Sequence, residues 1–237
     1  IEPYDYPLKI LHEDDHLIVV NKDSGMVTHP GDGTSADTLV HALMHHCPDQ
    51  LCPIGAPERP GIVHRLDKET SGVMVIAKSE QAYHSLVSQF SDRKTQKKYC
   101  ALVSGQLSGT EGEFNGAIAS HPKVRVKMTV AEHGKPALTT WRLIKRFEEG
   151  FSFIDCEIKT GRTHQIRVHF SNASNPIAGD LTYGFKQNGK SPVFFSRVML
   201  HACELSFNCP RSSERLTFRA EIPDDLELAL QKLTPTE

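Results

Sequence analysis

The chain has 237 residues, a length that suits one large domain or two small ones. Its 38% apolar and 24% charged residues form a globular mix able to bury a core, and 16 Gly with 14 Pro exclude collagen-like and broadly disordered chains. The formal net charge of −2 excludes a uniformly basic polyanion binder, and no apolar run is long enough for a membrane helix.

Elements follow from the hydrophobic pattern in chain order. Ile10–His12 and Leu17–Val20 read as strands separated by the Glu13-Asp14-Asp15 turn. Ser24-Gly25 and Pro30–Gly33 are turn signals, and Thr38–His46 reads as a helix because Leu39, Leu43 and Met44 recur at helical spacing. The Cys47–Pro60 stretch, with four prolines, reads as a surface loop within one domain. Val73, Val75 and Ala77 mark a short buried strand. Ser79 then caps a helix ending near Ser91, with Tyr83, Leu86, Val87 and Phe90 on one face. Strands are predicted at Tyr99–Val103, Val124–Val130, Ala137–Ile144 and Phe151–Ile158, and a helix at His164–Ser171. Leu216–Ala220 is the last strand and Asp225–Leu233 the last helix, with Leu226, Leu230 and Leu233 on one side. No repeat occurs at solenoid periods. Consecutive strands outnumbering helices argue for an α+β fold with a mainly antiparallel sheet.

Charge is unevenly spread. Arg93–Phe170 holds 14 Lys and Arg against 7 Asp and Glu. Acids gather near the start (Glu2, Asp5, Glu13, Asp14, Asp15) and near the end (Glu221, Asp224, Asp225, Glu227). This permits a polyanion-binding face on a near-neutral protein; bases scattered over solvated surface are the alternative. The six cysteines include no C-x-x-C pair, and a chain of this length needs no disulfide framework, so reduced thiols and a cytoplasmic setting are expected. His45, His46, Cys47 and Cys52 match no standard zinc spacing, so no metal site is expected there. No charged-then-apolar leader is present, so secretion is not expected, and opening on Ile1 rather than Met implies a native start further upstream.

Three segments concentrate polar chemistry. In Gly61–Gly72, Asp67 lies amid His64, Arg65 and Lys68, cations that favour its ionised form; an ionised carboxylate can act as base or nucleophile, or simply cap a turn. In Thr160–Phe170, Gly161 can supply an unusual backbone angle and Thr163 can cap the following helix. Arg162 and Arg167, five apart, cannot share one helix line, so one suits a phosphate and the other a carboxylate. Lys97 and Lys98 before Tyr99 suit phosphates and a stacked base, although a tyrosine at a strand start also serves as core.

Together these segments resemble the RluA-type pseudouridine synthases. His64-Arg65-Leu66-Asp67 with Thr70-Ser71-Gly72 resembles the family's aspartate signature, Tyr99 with Leu102–Gly105 its tyrosine motif, and Gly161–His169 its arginine motif. Pro176–Asp180, Tyr183-Gly184 and Leu200-His201-Ala202 resemble later family segments. His29-Pro30-Gly31 and Ser120-His121-Pro122 point to the RluD-like branch acting on large-subunit rRNA. The resemblance runs from about Leu8 to Leu230. It departs at Asn21-Lys22-Asp23, where the family has Asn-Lys-Pro, and in lacking the N-terminal S4 RNA-binding domain that many relatives carry, whose place would be upstream of Ile1.

The resemblance implies a single catalytic domain over 1–237 with its core at 8–230. It implies isomerisation of uridine to pseudouridine in RNA without metal or cofactor, by a monomer with RNA as partner and no membrane. Asp67 matches the essential aspartate, Tyr99 the active-site tyrosine, and Arg167 the arginine paired with that aspartate. Arg65 is the candidate to fill the space of a flipped base, and His64, Arg162, Lys97 and Lys98 are candidate RNA contacts. A tRNA enzyme and a non-catalytic RNA-binding or ribosome-assembly factor are the alternatives. A hydrolase using Asp67 and His64 would want a carboxylate cluster that the motif lacks beyond Glu69.

Overall fold

A computed structural model describes residues 1–31, 33–55 and 57–237. Asp32, in the expected Pro30–Gly33 turn, and Ala56, in the expected Cys47–Pro60 loop, lie outside the described residues. The elements begin β1 (Lys9–Glu13), β2 (Leu17–Lys22), α1 (Leu39–His46), β3 (Ser71–Ala77), α2 (Glu80–Ser91) and β4 (Gln96–Ser104). They continue β5 (Glu111–Phe114), β6 (Ile118–Ser120), β7 (Met128–Val130), β8 (Thr139–Phe147), β9 (Phe151–Ile158) and α3 (Gln165–Asn172). A 3₁₀ turn (Leu181–Tyr183), β10 (Leu200–Asn208), β11 (Arg215–Arg219) and α4 (Asp224–Lys232) complete the chain. The fold is α+β with mainly antiparallel pairing, as the strand-rich pattern implies. The chain divides into two compact units: Ile1–Gln96 with Ala202–Glu221, and Lys97–His201 with Ile222–Glu237.

In the first unit the strands run β1-β2-β3-β10, with β11 beside β10. Alternate residues of β2 and β3 (Leu17, Val19, Val73, Val75, Ala77) meet Leu205 and Phe207 of β10, and Ala82 and Leu86 of α2 cover them. Ser79 caps α2 as expected, its hydroxyl accepting the Ala82 N–H at 3.2 Å. Thr38 caps α1 in a reciprocal box with His41.

Gly72, the second residue of β3, stands at φ +125°, and a Cβ there would stand 2.2 Å from the Ala202 carbonyl oxygen of β10. Only glycine adopts that backbone angle without strain, and here the strand pairing leaves no room for a side chain. Gly72→Ala is therefore expected to destabilise the fold by about 3 kcal/mol or more. Urea unfolding checks this; a loss below about 1 kcal/mol would show that the pairing adjusts.

In the second unit the order is β4-β9-β8-β5, all antiparallel, and β6 pairs with β7 as a separate hairpin. Phe114 packs edge-on against Phe170 of α3, with centroids 5.0 Å apart. Val168 joins Ile118, Ala137 and Tyr183 in a buried cluster. Arg197, 6% exposed, forks onto Asp225 through Nε and Nη2 at 2.8 and 3.0 Å and so fastens the start of α4.

Three local expectations are corrected. The predicted strand Val124–Val130 contracts to Met128–Val130, because the His121 ring nitrogen accepts the N–H groups of Lys123 and Val124 and holds them in a turn. Thr163 does not cap α3, and Gly161 does not take the unusual angle. His164 stands at the helix start at φ +55° without a side-chain cap, and its Nδ1 shares a 2.6 Å hydrogen bond with the Tyr183 hydroxyl.

Candidate active site

In the first unit, Asp67 lies half-buried on the turn before β3, next to buried Leu66 and exposed Lys68, with Arg65 exposed two residues earlier. Three successive carbonyls of this turn are held. Leu66 accepts the Thr28 hydroxyl at 3.1 Å and Asp67 accepts the Thr70 N–H at 3.1 Å. Lys68 accepts the Gly25 N–H at 2.8 Å and the Lys22 ammonium at 3.2 Å. Lys22 is 2% exposed and also donates to the carbonyls of Asp23 and Met26 at 2.8 and 2.9 Å. A buried ammonium is costly unless its donors are taken, and three carbonyls take them here. The turn carrying Asp67 is thereby fastened through its backbone. Asp23, standing in place of the family's proline, adds a tie of its own. Its carboxylate accepts the Tyr6 hydroxyl at 2.5 Å and the Lys9 ammonium at 2.6 Å. The hydrogen bond to Asp23, with burial, pushes the Tyr6 hydroxyl up to about 12.

His64 turns inward. Its Nε2 accepts the Val75 N–H at 3.0 Å, and its ring stacks on Phe90 with centroids 4.5 Å apart. The ring therefore joins the turn to β3 and α2, although the sequence alone groups it with the RNA contacts.

In the second unit, Tyr99 sits on β4, 8% exposed, opposite Cys156 of β9. Side chains alternate along a strand, so Lys97 shares the Tyr99 face and Lys98 takes the other. Lys97 reaches the arginine motif: a Cβ on Gly161 would meet its ammonium at 3.3 Å. Lys98 instead lines a cleft with Glu111, Glu113, Asp155 and Glu157.

Gln165 organises the arginine motif. Its side-chain oxygen accepts the Arg162 N–H at 3.1 Å and the Thr160 hydroxyl at 2.6 Å, and its amide donates to Leu138 O and Thr139 Oγ1. Arg162 itself donates from Nε to the Pro136 carbonyl at 2.9 Å. Arg167 takes a carboxylate: Nε and Nη2 donate to the two oxygens of Asp180 at 2.8 and 3.0 Å, with both side chains buried. The Arg167 guanidinium also lies 5.0 Å from the centre of the Tyr183 ring. Burial holds the His169 ring below the ordinary histidine range; its Nε2 donates to Gly116 O at 2.8 Å, and Thr139 closes on Nδ1 at 2.8 Å. In the sequence Asp180 closes the segment Pro176–Asp180. Its partnership with Arg167, 13 residues earlier, has no local signature. Among the described residues no group of three or more His, Cys, Asp or Glu is gathered in a way that would hold a metal ion.

Comparison with known proteins defines the class. The family model for RNA pseudouridylate synthase matches residues 16–172, and the chain belongs to that family, isomerases that convert uridine to pseudouridine in RNA. An uncharacterized RNA pseudouridine synthase of Aquifex aeolicus is 44% identical over 229 residues, covering 94% of this chain and 72% of that protein. A protein of Zymomonas mobilis named ribosomal large subunit pseudouridine synthase D is 42% identical, covering 98% of this chain and 74% of that one. The solved structure of human RNA pseudouridylate synthase domain containing 1 superposes with a TM-score of 0.76 at 28% identity, covering 100% of this chain and 92% of the other.

Proposed function

We propose that this chain isomerises specific uridines of large-subunit ribosomal RNA to pseudouridine. The reading is carried by the near whole-length similarity to relatives named as large-subunit enzymes. The surface supports an RNA substrate: Lys123 and Arg125 stand exposed on the turn joining β6 to β7, within the basic middle of the chain. In this reading residues 1–237 serve as one catalytic domain with its core at 8–230. It works as a cytoplasmic monomer, with neither metal nor organic cofactor in the reaction.

The reaction breaks the bond from uracil N1 to ribose C1′. The uracil turns and bonds C1′ through C5. The C5 proton leaves to solvent and N1 gains one, so product and substrate are isomers. Asp67 is the carboxylate assigned to C1′, either attacking it or assisting departure of uracil. Tyr99 stacks on the target base, and its hydroxyl serves proton transfer. On the family motif, Arg167 is assigned to orient the catalytic carboxylate, with Asp180 fixing its guanidinium plane through Nε and Nη2. A stacked uridine must be extruded before C1′ is reached, and Arg65 is assigned to the space it leaves.

Tritium release from RNA labelled at uridine C5 tests the function, with 23S-type rRNA and bulk tRNA in parallel. Release from the rRNA is expected. Release from tRNA alone would make this a tRNA enzyme, and tight binding without release from either would make it a non-catalytic RNA-binding factor.

Lys97 and Arg162 are assigned to phosphates near the target, and the opposite faces of β4 separate the two lysines. Lys97→Ala is expected to weaken RNA binding several-fold and lower the salt slope by about one. Lys98→Ala, among its carboxylates, is expected to leave both unchanged. Filter binding across a salt series checks this, and equal effects would overturn the assignment.

A further inference from the structure

Phe194 is 77% exposed, the most exposed large apolar side chain among the described residues. Its display is built into the chain. Val193, Phe195 and Arg197 are buried while Phe194 and Ser196 face out. Phe195 is anchored against Phe151 and Phe185, with centroids 5.3 and 5.7 Å away. The Gln187 side chain clamps the preceding loop, donating to Val193 O at 2.8 Å and accepting the Phe195 N–H at 3.1 Å.

The segment is basic. From Leu181 to Cys203 it carries no acid; Lys186 and Lys190 are exposed, whereas Arg197 is buried on Asp225. The two lysines line a cleft of about 300 Å³ with Gln187, Asn188 and Phe185. Glu149, also on its lining, is engaged by the backbone and hydroxyl of Thr234.

We propose that Phe194, Lys186 and Lys190 form a second RNA contact, taking an unpaired segment of the substrate outside the target nucleotide. An exposed aromatic on one chain segment with exposed cations is the pattern that stacks a base and holds its phosphates. Ser104 of the cleft lies five residues along β4 from Tyr99, about 17 Å at the strand rise, so this contact serves a different nucleotide from the one Tyr99 meets. The inference rests on the RNA-isomerase reading and adds where the substrate's flanking strand is gripped.

The test compares Phe194→Ala, the double variant Lys186→Ala/Lys190→Ala, and Leu181→Ala as an exposed apolar control, by tritium release from rRNA fragments with and without single-stranded flanks. Phe194→Ala is expected to raise KM about tenfold on the flanked RNA with kcat unchanged, and to do nothing on the trimmed RNA. The double lysine variant should lower the salt slope by about two, and Leu181→Ala should leave KM unchanged. Unchanged KM in Phe194→Ala on flanked RNA, with wild-type release intact, overturns this contact and leaves the isomerase reading standing. Absence of release in the wild type overturns that reading first. A changed sedimentation of Phe194→Ala with unchanged KM would assign the patch to contacts between copies of the chain and overturn the proposal.

Discussion

Asp67→Asn is expected to abolish tritium release, by at least about 10⁴-fold under single-turnover conditions, while RNA affinity stays within a factor of two or so. The amide keeps the size and hydrogen-bonding shape of the carboxylate but supplies neither its charge nor its nucleophilicity. The turn should survive the change. Its carbonyls at Leu66, Asp67 and Lys68 are held by Thr28, Thr70, Gly25 and Lys22, and every one of those bonds ends on a backbone atom that the variant retains. Filter binding with the same labelled RNA separates loss of chemistry from loss of substrate. Release at more than a few per cent of the wild-type rate would move the catalytic role to another group.

The second large effect is expected at Asp180, which the catalytic motifs do not include. Asp180 is 1% exposed and takes both arms of the Arg167 fork, and its Oδ1 also faces the Tyr183 N–H at 3.4 Å. Asp180→Asn replaces one acceptor with an amide N–H facing the guanidinium, leaving a buried cation half-compensated. Removing one partner of a buried pair costs about 3–5 kcal/mol, far above the about 0–1 kcal/mol of an exposed pair. For a chain of this size that is a fall in Tm of roughly 10 °C. Activity measured at a temperature where the variant is still folded should fall as well, because Arg167 loses the group that fixes its plane. A Tm shift under about 2 °C would show that Arg167 is held elsewhere.

How much of this was legible beforehand differs from element to element. Helix α2 was readable because its cap, its apolar face and its end are all local: Ser79, then Leu86 and Phe90, then Ser91. Strand β10 carries no such local signature. Its sequence, LHACELSFN, sets buried His201 and Ser206 among apolar residues, so neither alternation nor a continuous apolar run marks it. Strand β5, EGEF, has no apolar pattern and exists through its pairing with β8.

The site divides in the same way. Order and spacing along the chain suffice to recognise Asp67, Tyr99 and the arginine motif, since those residues stand in contiguous signatures, and with them the family and its reaction class. Three features needed the folded chain: the three carbonyls closing on Lys22, the Asp180 fork on Arg167, and the parting of Lys97 from Lys98 to opposite faces of one strand. Each depends on groups that meet through tertiary packing or on which face of a sheet is covered. A sequence specifies which groups are available for the chemistry; burial and long-range pairing decide which of them are held in place, and by what.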